Sequence, residues 1–175
     1  MMRGYSPKFT VLVALFSFAA LSLRSVHAQQ ESLSIPGISS TAHSKQFVTL
    51  ANGDAATAAA NKPTVVELRF RVDSGLHVHS HTPSSEFYIP TTLTLLPDSG
   101  VAVKGIAYPP GQAYSFSAAP KEKLSVYTGE FVVKATVLVP AGSHTLRGTL
   151  RYQACDNGSC FPPRTLPVSV VVEAR

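Results

Sequence analysis

Val66, Leu68, Phe70 and Val72 alternate with Glu67, Arg69 and Arg71, and the same two-residue period returns along most of the chain. Leu93 and Leu95 alternate with Thr92 and Thr94, and Val101 and Val103 precede Gly105. Phe131, Val133, Ala135, Val137 and Val139 share one face of a long strand. Leu146, Gly148, Leu150, Tyr152 and Ala154 share another, with Arg147, Thr149, Arg151 and Gln153 opposite, and Leu166 to Val172 closes the series. Successive side chains of a strand point to opposite faces, so each run predicts a strand with one buried face. Turn residues separate the runs at Ser74-Gly75, Pro97-Asp98-Ser99-Gly100, Thr128-Gly129 and Ala141-Gly142. Many short strands with regular turn signals predict an all-β protein, an antiparallel β-sandwich. Gln29 to Lys45 is polar, contains Pro36 and Gly37, and reads as a flexible lead-in; Ala51 to Lys62 reads as a connector.

The first 28 residues follow a different rule. Arg3 and Lys8 form a positive n-region, Phe9 to Leu23 is apolar, and Val26-His27-Ala28 resembles a signal-peptidase site. The apolar run is too short for a membrane span, so residues 1–28 read as a signal peptide. An uncleaved anchor is the alternative. No cysteine near the cut offers a lipid attachment point, and no later segment is long enough to span a bilayer. Export across the inner membrane to the periplasm places the chain where a cysteine pair can be oxidised. The formal charge of +5 includes Arg3, Lys8 and Arg24; without them 12 basic residues face 10 acidic ones. No basic run remains, so nothing points to a nucleic-acid partner. Residues 46–175 are long enough for one domain with its own core.

Cys155 and Cys160 are the only cysteines, in the stretch Tyr152-Gln153-Ala154-Cys155-Asp156-Asn157-Gly158-Ser159-Cys160-Phe161-Pro162-Pro163. Asn157-Gly158 is a strong signal for a two-residue type I′ hairpin turn. A turn there pairs Asp156 with Ser159 and sets Cys155 opposite Cys160. Directly opposed residues of that kind have Cα atoms about 4.5 Å apart, within reach of a disulfide. The loop is so short that the bridge would contribute only about 2 kcal/mol in the chain-entropy model. Pro162 and Pro163 cannot donate to a ladder, which predicts an edge strand and accessible sulfurs. A structural hairpin disulfide and an exchangeable one both fit this spacing.

His77, His79 and His81 would share one face if their strand continued, with Leu76 and Val78 opposite. Three readings stay open: a metal site completed by the cysteines, an exposed hydrogen-bonded face, or an imidazolium near Cys155 that stabilises its thiolate. Pro83 and its polar neighbours predict that the strand frays by His81. No phosphate-binding glycine loop, carboxylate pair or nucleophile elbow is present, and no cofactor is implied.

The stretch from Tyr152 to Pro163 resembles the N-terminal periplasmic domain family of the thiol:disulfide interchange protein DsbD: Tyr-Gln, cysteine, a short polar loop, cysteine, an aromatic and two prolines. Gly75-Leu76-His77-Val78-His79, Phe87-Tyr88-Ile89-Pro90 and Leu124-Ser125-Val126-Tyr127 also resemble that family, which takes the likeness over most of Phe47 to Val172. The resemblance implies an immunoglobulin-like fold, although the core Trp and the inter-sheet disulfide of immunoglobulin domains are missing here. It implies that Cys155 and Cys160 are a redox-active pair. The pair would take electrons from a thioredoxin-like donor and pass them to other periplasmic oxidoreductases. The family's cap over the disulfide corresponds to Tyr108 to Pro120, where Tyr114 or Phe116 would cover the sulfurs; an ordinary surface loop is the alternative. Phe161 follows the second cysteine and joins the candidate set. The chain departs from the family's best-known members in having four residues, not five, between the cysteines. It also has His77 and His79 where those members have tyrosines, and no acid in the cap segment. The family's membrane electron-transfer and terminal thioredoxin-like domains do not follow before Arg175, so the expectation is a stand-alone shuttle supplied by a membrane electron-transfer protein. The competing readings are an immunoglobulin-like binding domain with a structural disulfide, and a periplasmic metal-binding protein.

Overall fold

The computed structural model describes residues 45–175 apart from Asp54, Pro97, Ser99 and 116–120. Residues 1–28, read as a signal peptide, most of the segment 29–45 read as a lead-in, and Phe116 lie outside the described residues. In chain order the strands are β1 (Val48–Leu50), β2 (Ala56–Ala58), β3 (Thr64–Val72), β4 (His77–His79), β5 (Thr92–Leu96), β6 (Ala102–Ala107), β7 (Gln112–Tyr114), β8 (Leu124–Tyr127), β9 (Glu130–Leu138), β10 (Gly142–Tyr152), β11 (Ala154–Cys155) and β12 (Arg164–Ala174). Among the described residues there is no helix, and hence none long and apolar enough to cross a membrane. The all-β, immunoglobulin-like expectation holds.

Three four-stranded sheets form, ordered β1-β3-β9-β6, β2-β12-β10-β5 and β11-β4-β8-β7. The first two supply most of one core. Val66, Leu68, Phe70 and Val72 of β3 and Phe131, Val133, Ala135 and Val137 of β9 meet Leu146, Leu150, Val168, Val170 and Val172 of β10 and β12 there. These are the apolar positions of the two-residue alternation. The alternate positions carry cross-strand charges: Glu67 lies opposite Lys134 and Arg71 opposite Glu130. The ion pairs Lys134–Glu67 and Arg71–Glu130 are half-exposed, so each contributes well under about 1 kcal/mol. Gly100 and Gly129 turn the chain between β5 and β6 and between β8 and β9 with φ of 84° and 58°, a region that side chains with a Cβ disfavour.

Three short strands lie outside the two-residue runs read from the sequence. Within the connector 51–62, β2 pairs with the end of β12, and it does so in parallel: Val172 lies opposite Ala56 and Ala174 opposite Ala58. Phe47 and Val48 are buried beside the sandwich, and β1 pairs with β3. Inside Tyr108 to Pro120, β7 pairs with β8. None of these three-residue strands is long enough to show a period; their partners' unpaired backbone groups recruit them.

Gly148 faces β5. A Cβ there would lie 2.2 Å from the Thr94 carbonyl oxygen and 3.0 Å from Leu95 Cα. These backbone atoms of β5 cannot move aside cheaply, so Gly148→Ala is expected to destabilise the domain by about 1–3 kcal/mol. Urea unfolding followed by circular dichroism should show a lower midpoint with an unchanged slope; an unchanged midpoint would contradict this packing.

Candidate redox site

β10 runs through Gln153 into β11 and changes sheets as it does. Tyr152 is fully buried at the changeover. Its hydroxyl accepts from the Phe47 amide at 2.9 Å and donates to Gln46 Oε1 at 2.8 Å. β11 then pairs with β4, with Ala154 opposite Val78 and Cys155 opposite His77. β11 is an edge strand, as Pro162 and Pro163 imply.

Cys155 and Cys160 are joined by a disulfide, with Cα atoms 3.9 Å apart, and they face each other across an isolated antiparallel bridge. The Asp156 amide donates to the Ser159 carbonyl at 2.9 Å, and the Phe161 amide to the Ala154 carbonyl at 2.8 Å. The expected register is therefore present, but the turn is not type I′. That turn needs positive φ at both central residues, and neither Asn157 nor Gly158 has it. Instead Asp156 Oδ1 accepts from the Gly158 and Ser159 amides at 2.8 and 2.7 Å. This side-chain turn satisfies the amides without a left-handed backbone. The same bonds hold the Asp156 carboxyl below its usual range.

The two cysteines are not equally exposed. Cys155 is completely buried, while Cys160 is exposed. Of the two residues expected at an accessible edge, only Cys160 is exposed, because Cys155 is paired to β4.

His77 and His79 are 1% and 0% exposed, which overturns the exposed histidine face. β4 ends at His79, and His81 turns away from the other two. Its Nδ1 lies 3.0 Å from the Thr91 carbonyl, and its ring stacks on Tyr108. The three histidines thus do not form a shared ligand set. His79 Nε2 instead lies 3.7 Å from Cys155 Sγ, so the pairing of a histidine with Cys155 is found. Burial, aided by repulsion from His77, lowers His79 from 6.5 to about 4. Burial also lowers His77, partly opposed by Asp156. Next to the disulfide at neutral pH both rings are neutral, so the expected imidazolium is replaced by a neutral imidazole.

Two tyrosines cover these rings. Tyr114 lies against His77 with centroids 4.2 Å apart, and its hydroxyl donates to Asn157 Oδ1 in the hairpin turn. Tyr88 stacks on His79 at 4.4 Å and donates to Glu122 Oε1, a bond that raises the phenol above its usual value. Tyr88 and Glu122 were not singled out from sequence; spacing alone gave no signal that a loop tyrosine would reach β4. Glu122 supplies an acid just beyond a cap segment that has none of its own. Phe161 packs against Phe47, centroids 4.5 Å apart, and so anchors the second arm of the hairpin to the core. Phe87, beside Tyr88, is 86% exposed.

Residues 46–171 match the family model described as "Thiol:disulfide interchange protein DsbD, N-terminal". The chain belongs to the DsbD N-terminal family. Among solved structures it is similar to the reduced DsbD N-terminal domain of Neisseria meningitidis, at 19% identity and a TM-score of 0.41, over 65% of this chain and 79% of that one. It is also similar to the N-terminal periplasmic domain of ScsB from Proteus mirabilis, at 14% identity and a TM-score of 0.47, over 72% of this chain and 51% of that one. No curated protein matches the sequence. His77 and His79 both lie at the cysteine hairpin, His77 opposite Cys155 and His79 beside its sulfur.

The low value of His79 couples stability to pH. The unfolded chain binds this proton near pH 6.5 and the folded chain only near 4, so the unfolded state holds more protons between those values. The stabilisation is complete above pH 6.5 and is lost as pH falls through that window. From pH 7.5 to 4.5 the oxidised protein should lose on the order of 2 kcal/mol through His79. His79→Phe should remove that part of the slope. Equal pH slopes for wild type and variant in urea unfolding would show that His79 is not held neutral.

Proposed function

We propose that this domain is a periplasmic thiol–disulfide exchange module that carries two electrons through Cys155 and Cys160. The observation that carries the proposal is the asymmetry of the pair: one cysteine exposed, the other buried beside an imidazole. Membership of the DsbD N-terminal family supports it. The partners would be a dithiol donor of thioredoxin-like type, reduced in turn by a membrane electron-transfer protein, and oxidised periplasmic proteins as acceptors.

The incoming thiolate attacks Cys160 Sγ, because Cys160 is the exposed cysteine of the pair. The Cys155–Cys160 bond breaks, a partner–Cys160 disulfide forms, and Cys155 leaves as a thiolate. A leaving thiolate in an apolar pocket is unfavourable unless it is hydrogen-bonded or protonated. His79 Nε2 is placed to donate to it. The partner's second thiolate then attacks its own sulfur in the mixed disulfide, and Cys160 leaves. Two protons and two electrons have moved: the partner is now the disulfide and this domain the dithiol. Exchange with an oxidised acceptor runs the steps in reverse. Phe87 offers an exposed apolar side chain one residue from Tyr88, where a docking partner could bury it.

The asymmetry predicts which cysteine is trapped. Cys155→Ala, with Cys160 retained, should accumulate a mixed disulfide with a thioredoxin-like protein on non-reducing gels. Cys160→Ala should accumulate several-fold less. The reading fails if neither variant captures such a partner and the wild-type bridge stays closed down to about −300 mV, the range of structural disulfides.

The bridge is not expected to hold the fold. Its ring closes only six residues, worth about 2 kcal/mol, against a core spanning two sheets. Cys155→Ser/Cys160→Ser should keep a β-type circular dichroism spectrum and a cooperative melt at 25 °C. A variant that is unfolded at that temperature would identify the bridge as a structural staple.

A further inference from the structure

We propose that the dithiol form of the hairpin, together with His79, is a three-coordinate site for copper(I). One nitrogen of His79 and the two sulfurs lie within 4.8 Å of one another, with Nε2 3.7 Å from Cys155 Sγ. Bonds of about 2.0–2.3 Å to a central ion place donors in a trigonal plane roughly 3.5–4 Å apart. The His79–Cys155 edge of that triangle already exists. The third side needs only the disulfide to open. Two sulfurs no longer bonded move to van der Waals separation, roughly 3.5–4 Å, and the exposed Cys160 has room to turn.

The ligand chemistry selects the ion. Two thiolates are soft donors, which favour copper(I). Zinc(II) takes four ligands in a closed site, and among the described residues no fourth His, Cys, Asp or Glu joins this group. The His79 ring is held in place by Tyr88, and the His79 carbonyl by Thr91 Oγ1 at 2.6 Å.

The redox balance is simple. A dithiol of the class named above supplies the two electrons that open the disulfide. Copper stays in the +1 state throughout, and its binding releases the two thiol protons to solvent. The oxidised protein has no thiolates and does not bind. Copper binding and electron transfer therefore exclude each other at the same two sulfurs. The site requires the reduced pair but not the exchange reading, so the two can fail separately.

The test uses the full mature protein, reduced with dithiothreitol and desalted without oxygen. It is titrated with copper(I) in competition with the chromophoric chelator bicinchoninate. One copper per chain is expected for the dithiol form, with binding at least about tenfold weaker for His79→Leu, the scale of a lost site contact. Cys160→Ser should bind weakly as well, the disulfide form should not compete, and His81→Ala should match wild type. X-ray absorption of the wild-type copper(I) protein should show two sulfurs and one nitrogen, which keeps the proposal falsifiable if His79→Leu does not fold. Equal affinity of the dithiol and disulfide forms would overturn it. So would a folded His79→Leu that binds as wild type, sulfur-only coordination, or displacement of copper by equimolar zinc(II). Intact copper binding without partner trapping would sink the exchange reading alone, and trapping without copper binding this one alone.

Discussion

The passage of the chain from β10 into β11 sets the chemistry of this domain. β10 lies between β12 and β5 in one sheet. Two residues later the same chain lies against β4 in another, with Cys155 opposite His77. Tyr152 secures the changeover by filling the core and joining its hydroxyl to Gln46 and the Phe47 amide. Because a strand's side chains alternate, a slip of one residue at this point would turn Cys155 away from His79. The sandwich thus acts as the rigid support for a small edge hairpin. Phe161, held against Phe47, braces the hairpin's other arm.

Burial gives the two ends of the disulfide different roles. A disulfide is uncharged and tolerates the dry side of the hairpin, where Cys155 sits under complete cover. A thiolate in the same place does not, unless a donor or a cation accompanies it. Burial withholds the charge from His79 but leaves its ring nitrogens able to donate or to coordinate. Tyr88 and Tyr114 form the shield, and each is tethered at its hydroxyl, to Glu122 and Asn157. The tether to Asn157 ties the cover over His77 to the cysteine turn itself, so movement of either is felt by the other.

Energetically the disulfide adds little to the sandwich. The apolar positions of β3, β9, β10 and β12 provide the continuous core, whereas the disulfide closes a short local ring whose entropic contribution is small. A bridge that contributes little to folding can be opened and closed without threatening the fold. That separation suits a site whose bond changes during its work.

The sequence by itself determined the sandwich, because the two-residue period of Val66 to Val72, Phe131 to Val139 and Leu146 to Ala154 is long enough to specify which face is buried. It also determined the register of the cysteine hairpin, because Cys155 and Cys160 are local neighbours on either side of a short turn. Its turn type was misjudged, since the Asp156 carboxylate offered the amides a competing partner that the Asn-Gly signal does not reveal. Strands of three residues, such as β2 and β7, carry no readable period and exist because longer strands beside them leave backbone groups to pair. Only the tertiary structure decided that His77 and His79 are buried, that His81 departs toward Thr91, and that Tyr88 covers His79. The same holds for which of the two cysteines is exposed. Burial and proximity belong to segments brought together across 76 positions of chain, as with Cys155 and His79, and no local pattern records that distance.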